Sequence, residues 1–73
     1  MSRINTEKEE EEVRELLLEY DGLIPRYTLE GKLLYELDCS HNKMYHTLMN
    51  LVLKEEIELV DLDDGQYYSL NIL

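Results

Sequence analysis

The sequence predicts a small α+β domain: three helices followed by a two- to three-stranded antiparallel β-sheet. Three observations carry this. Apolar residues recur at the helical period in three separate stretches, the last of them preceded by a serine cap. Two short runs, 57–62 and 66–70, are rich in Ile, Leu, Val and Tyr, as strands are. Asp64-Gly65 between them is the composition of a two-residue hairpin turn, because both residue types tolerate positive φ. With 73 residues and no internal repeat, the chain is read as one domain, 1–73.

The first helix is expected over 6–20. Thr6 is placed to cap it, and Glu9 three residues later completes a capping box. The glutamates of its first turns suit the positive end of the helix dipole. Val13, Leu16, Leu17 and Tyr20 share one apolar face, and Leu18 lies off it. Asp21-Gly22 ends the helix, with Gly22 suited to the left-handed position. Residues 23–27 form a short extended link, since Pro25 turns Ile24 away from helical dihedrals. A second helix, 28–37, starts at Thr28 and buries Leu29, Leu33, Leu34 and Leu37. Asp38-Cys39 is the turn. Ser40 caps a third helix over 40–54 that turns Met44, Leu48, Leu51 and Val52 inward. Its outward face carries His41, Asn42, Lys43, Tyr45, His46, Met49 and Asn50.

Composition narrows the class. A chain of this size buries roughly 60% of its unfolded surface, so its core is marginal and a partner subunit would help it. No apolar run approaches the length of a membrane span, and the start, Met-Ser-Arg-Ile-Asn-Thr-Glu, lacks the apolar core of a secretory signal. A single cysteine cannot form an internal disulfide, which fits a reducing, intracellular (cytoplasmic) setting. The absence of Ala, Phe and Trp beside abundant Glu, Leu and Tyr resembles the coding of an AT-rich archaeal or viral genome.

Charge is unevenly placed. The net charge is −10. Residues 1–21 hold eight acids and three bases, and residues 55–73 hold six acids and no base. Residues 22–54 hold three acids against four bases, and 39–54 contain no carboxylate. The acidity therefore sits at the two ends of the sequence, and the third helix is its least acidic part.

The order over 28–70 is helix, tight turn, capped helix, strand, hairpin turn, strand. The turn from Leu37 to Ser40, the Leu48/Leu51 spacing and the hairpin Asp64-Gly65-Gln66-Tyr67-Tyr68 occur together. This pattern resembles the winged helix-turn-helix family of small DNA-binding transcriptional regulators, over nearly the whole chain. The resemblance implies a third helix that enters the major groove of duplex DNA with its N-terminal residues. Ser40, His41, Asn42, Lys43, Tyr45, His46, Met49 and Asn50 are then the DNA-binding set, with Arg26 and Lys32 as backbone contacts. Their chemistry suits the role: Asn pairs bidentately with adenine, Lys reaches guanine or phosphate, and Tyr and Ser bond phosphate oxygens. The resemblance also implies a homodimer through the first helix or the C-terminal segment, with Leu18 and Ile72-Leu73 as its apolar candidates.

The wing departs from the family's habit. Its tip carries Asp61, Asp63 and Asp64 where a DNA-binding wing usually presents Arg or Lys. Carboxylates against a polyanion repel, and few cations mean few phosphate contacts. An alternative function follows: an acidic protein-interaction module that binds a basic partner in a transcription or replication complex. That partner would meet Glu9, Glu10 and Glu12 or Asp61, Asp63 and Asp64.

Catalytic and metal chemistry find no support in the spacing. Cys39, His41 and His46 lack a fourth ligand, and two histidines five apart align poorly on a helix. The hairpin acids lack a calcium loop's spacing, and no glycine-rich phosphate loop occurs. A non-enzyme without cofactor or metal is expected.

Overall fold

The computed structural model describes residues 5–71. It is α+β, with three helical segments and a three-stranded antiparallel sheet. Helix α1 spans Glu7–Glu19, strand β1 Leu23–Pro25 and helix α2 Arg26–Gly31. The chain of α2 runs on without a break into a π-helical turn, Lys32–Glu36. Helix α3 spans His41–Leu53, and strands β2 and β3 span Ile57–Leu62 and Gly65–Leu70. The sheet order is β1-β3-β2, so the strand nearest the C-terminus is central and β2 is an edge. Ile72 and Leu73, invoked for a dimer, lie outside the described residues.

One apolar core joins every element. Val13 and Leu17 of α1, Ile24 of β1, Leu29 of α2, Leu33 of the π turn, Met44, Leu48 and Leu51 of α3, Ile57 of β2 and Tyr68 of β3 are all buried. Leu16, Leu34 and Leu37 pack against this core only in part. Tyr20 and Val52, expected inside, are exposed instead. Conversely Thr47, not expected inside, is fully buried; its hydroxyl donates to the Lys43 carbonyl, 2.8 Å away, which offsets the burial of a polar group.

Several local expectations are corrected. Thr6 precedes α1 but its side chain does not cap it; the hydroxyl donates to the Glu10 carboxylate instead, at 2.6 Å. Asn5 supplies the nearest substitute, its side-chain oxygen accepting from the Glu7 amide. The second helix begins at Arg26, two residues before Thr28, directly after the extended Pro25. The hairpin turn falls on Asp63 and Asp64, since Leu62 pairs with Gly65. Gly65 follows it at φ +140°, a value that side-chain-bearing residues rarely adopt.

The three helical segments end in the same manner, with a non-glycine residue in the left-handed region. Asp21, Asp38 and Glu55 have φ of 59°, 54° and 61°. After α1 the Gly22 amide donates to the Leu17 carbonyl and the Asp21 amide to Leu18; after α3 the Glu56 amide donates to Leu51 and the Glu55 amide to Val52. These are Schellman pairs, which return the chain sharply at each helix end. After the π turn the Cys39 amide reaches back six residues to the Leu33 carbonyl, two further than the bond of an α-helix. That return buries Cys39 in the turn and delivers the chain to Ser40, whose hydroxyl accepts from the Lys43 amide at 3.1 Å. The cap on α3 is thus the one the sequence predicts.

Candidate functional site

Helix α3 has two sides of different chemistry. Met44, Thr47, Leu48 and Leu51 point into the core. On the open side, Asn42, Tyr45, His46 and Met49 form one stripe at i, i+3, i+4 and i+7, and they line a shallow surface depression. Tyr45 and Met49 are each 57% exposed, so neither is held in the core. Ser40 and His41 are exposed at the helix start.

The two remaining members of the expected set on α3, Lys43 and Asn50, face α1 instead. The Lys43 ammonium lies 3.3 Å from the Glu9 carboxylate. Asn50 donates through its amide nitrogen to the Thr6 hydroxyl at 3.1 Å. One turn on, Lys54 donates to Glu10 at 2.7 Å. The acidic start of α1 therefore lies along α3 and clasps it at three points. The stretch without carboxylates in the sequence is supplied with carboxylates in space.

Glu10 is the centre of this clasp. It is almost fully buried, which pushes its carboxyl pKa up, yet Lys54, the Thr6 hydroxyl and Arg14 together hold it below the usual carboxylate value. Arg14 continues the network: it donates to Glu56 at 2.7 Å and to Glu11 at 2.6 Å. The Arg14 guanidinium in turn holds the Glu56 carboxyl below its ordinary range. No buried side-chain nitrogen or oxygen among the described residues lacks a partner, so the seam is closed.

The cations proposed as backbone contacts are also engaged. Arg26 donates to Glu30 at 2.9 Å and to the Gln66 side chain, and its guanidinium lies 5.6 Å from the Tyr27 ring centre. Lys32 pairs with Glu36 at 3.0 Å, which raises its pKa. Arg14, Arg26, Lys32, Lys43 and Lys54 thus all face carboxylates. The surface pairs among them are worth at most about 1 kcal/mol each, so an incoming phosphate can compete for them.

Beside the stripe, a groove of about 270 Å³ opens between α3 and β2. Tyr45, Leu48, Met49, Val52, Leu59 and Tyr68 line it together with Arg26 and Glu30. Sequence reasoning placed Leu59 in a strand but not in a shared surface with α3. The signal was available in the alternation of β2, which puts Ile57, Leu59 and Asp61 on one face. The Tyr68 hydroxyl is pushed up in pKa by burial and by the neighbouring Glu30 carboxylate.

Among the described residues, no three His, Cys, Asp or Glu side chains are grouped to hold a metal ion. Cys39 is buried, and burial beside Glu9 raises its thiol pKa, which leaves it a poor nucleophile. No helix of the described residues is long and apolar enough to cross a membrane. Comparison of the chain with protein-family models, curated proteins and solved structures finds no match.

Proposed function

We propose that this chain is a winged helix-turn-helix protein that reads duplex DNA through α3 and regulates transcription. The observation that carries the reading is the open stripe Asn42, Tyr45, His46 and Met49 on a serine-capped helix entered through a tight turn. None of its groups is a carboxylate. Asn42 suits an adenine edge, and Tyr45 and Met49 suit thymine methyl groups. Ser40, His41 and the first amides of α3 suit phosphate oxygens. The order β1-β3-β2, with β2 and β3 joined by a tight hairpin, supports the same layout.

On this reading the hairpin stays off the DNA, because Asp61, Asp63 and Asp64 are exposed at its end. With only seven lysines and arginines in the chain, five of them facing carboxylates, few phosphate contacts are expected, and affinity would depend weakly on salt, each contact contributing a slope of about −0.9 in log K against log salt. A second copy, paired through exposed Leu18 and its neighbours, would double the contact area and set two α3 helices about one DNA turn apart. The test is binding of a duplex selected from a randomised pool. The double variant Asn42→Ala, Tyr45→Ala is expected to lose it, and triple charge reversal at Asp61, Asp63 and Asp64 to strengthen it. Retention of full affinity by the double variant would contradict the assignment.

A second reading is favoured by the pairing of Lys43 and Lys54 with Glu9 and Glu10. It makes the chain an acidic interaction module for a basic protein. Glu9 and Glu10 are themselves buried against α3, so this reading rests on the hairpin acids and exposed α1 acids rather than on those two.

A further inference from the structure

We propose that the apolar groove between α3 and β2 docks a basic amphipathic helix of a partner protein. Tyr45, Met49 and Val52 fall at i, i+4 and i+7 along α3, so they form one continuous ridge. Leu59 faces that ridge from β2 and is 44% exposed, leaving the opposite wall of the groove uncovered. A wall made of one helix ridge and one strand fits an incoming helix that presents apolar residues at i, i+3, i+4 and i+7.

Charge selects the occupant. Asp61 follows Leu59 on the same face of β2, and Asp63 and Asp64 continue at the turn, so the hairpin end of the groove is acidic. No lysine or arginine occurs from residue 55 onward. Arg26, the cation that lines the groove, is already bound to Glu30 and Gln66. A partner with lysine or arginine beside its apolar stripe therefore meets carboxylates that no lysine or arginine among the described residues pairs with, Asp64 accepting only from the Tyr67 hydroxyl. A second copy of this chain does not meet the requirement. It brings a net charge of −10, and its own α3 offers Lys43 only in a pair with Glu9. Antiparallel pairing of two β2 edges centred on Leu59 and Val60 would also set Glu58 against Asp61, like charge against like.

Tyr45 and Met49 belong both to this groove and to the open stripe of α3. A docked helix covers them, so such a partner excludes duplex DNA from α3. The docking itself does not depend on DNA binding.

The experiment titrates the full, isotopically labelled chain with two synthetic helical peptides of identical leucine spacing, one bearing lysine at its polar positions and one glutamate. Amide shifts are followed by NMR. The lysine peptide is expected to bind, with the largest shifts at Tyr45, Met49, Val52, Leu59 and Tyr68, and with at least tenfold preference over the glutamate peptide. Leu59→Asn is expected to weaken it tenfold or more with the remaining spectrum intact; Met49→Gln provides the same readout if Leu59→Asn unfolds. Glu11→Gln, Glu12→Gln is expected to leave it unchanged. Shifts centred on α1, equal binding of both peptides, or indifference to both groove variants would overturn the proposal. Because neither peptide carries phosphate, failure here leaves the DNA reading untouched, and failure of duplex binding leaves this one untouched.

Discussion

The two sides of α3 differ in what they have left to offer. Toward α1, a lysine, an asparagine and a threonine are buried or half-buried, and Lys43, Asn50 and the neighbouring Lys54 are matched to Glu9, Thr6 and Glu10. Toward solvent and β2, Asn42, Tyr45, His46, Met49 and Val52 are exposed beside Leu59. The closed side spends the helix's cations inside the molecule and binds α1 to α3. The open side is left aromatic, apolar and neutral-polar. The open side of α3 therefore presents recognition groups without a lysine or arginine of its own, so duplex DNA read there would be chosen by specific contacts more than by steering.

The largest effect that separates the two sides is on stability. Leu51→Ala, at a fully buried position on the closed side, is expected to cost about 2–5 kcal/mol, whereas Met49→Ala on the open side should change stability by about 0.5 kcal/mol or less. Denaturant unfolding of the two variants measures this directly. Equal losses would mean that the open side is packed after all.

A smaller effect sharpens the polar half of the seam. Thr6→Val removes the donor to Glu10 and the acceptor for Asn50 at nearly constant volume, and is expected to cost about 1–3 kcal/mol. Asn42→Ala serves as its open-side counterpart and should be neutral. A silent Thr6→Val would show that the clasp contributes nothing to holding α1 on α3.

The same seam sets a pH dependence. The folded-state pKa values of Glu10 and Glu56 lie below their ordinary value of 4.5. Such groups bind more protons when unfolded, so their stabilisation is complete above pH 4.5 and is lost as pH falls through the lowered folded values. Melting temperature followed from pH 7 down to pH 3 should fall in the acid part of that range. Glu10→Gln should flatten the fall; an unchanged profile in that variant would remove Glu10 from the account.

The smallest expected effect lies away from both sides, at the end of α3. Glu55 holds φ of 61° with a full side chain, and a left-handed residue of that kind costs roughly 1–2 kcal/mol. Glu55→Gly is therefore expected to stabilise the chain by about 1 kcal/mol, read as a rise in melting temperature. Destabilisation would show that the Glu55 side chain makes a contact worth more than the strain.

What could be read from the sequence was mostly local. Helix α3, its Ser40 cap, the buried Met44, Leu48 and Leu51, and the two strands all follow from spacing within a few residues. The failures have long-range causes. Thr6 has the residue type of a cap, but its hydroxyl is committed to Glu10 and to Asn50, the latter 44 positions away. Thr28 looks like a helix start, yet Arg26 begins the helix, with its guanidinium held by Glu30 and by Gln66 across the sheet. The hairpin turn moved by one residue because cross-strand register, rather than the Asp64-Gly65 pair alone, fixed its centre. For the candidate site the open stripe was legible from periodicity. The loss of Lys43 and Asn50 to α1 was not, because no local pattern says which two helices will lie side by side.

The most direct test of the open side as a reader of duplex DNA is selection of the purified protein against a randomised duplex library at moderate salt, read by sequencing. An enriched motif that the Asn42→Ala, Tyr45→Ala variant no longer selects is the expected result, and a palindrome with half-sites about one turn apart would add the dimer. No enrichment, even when salt is lowered to favour phosphate contacts, would contradict DNA reading by α3.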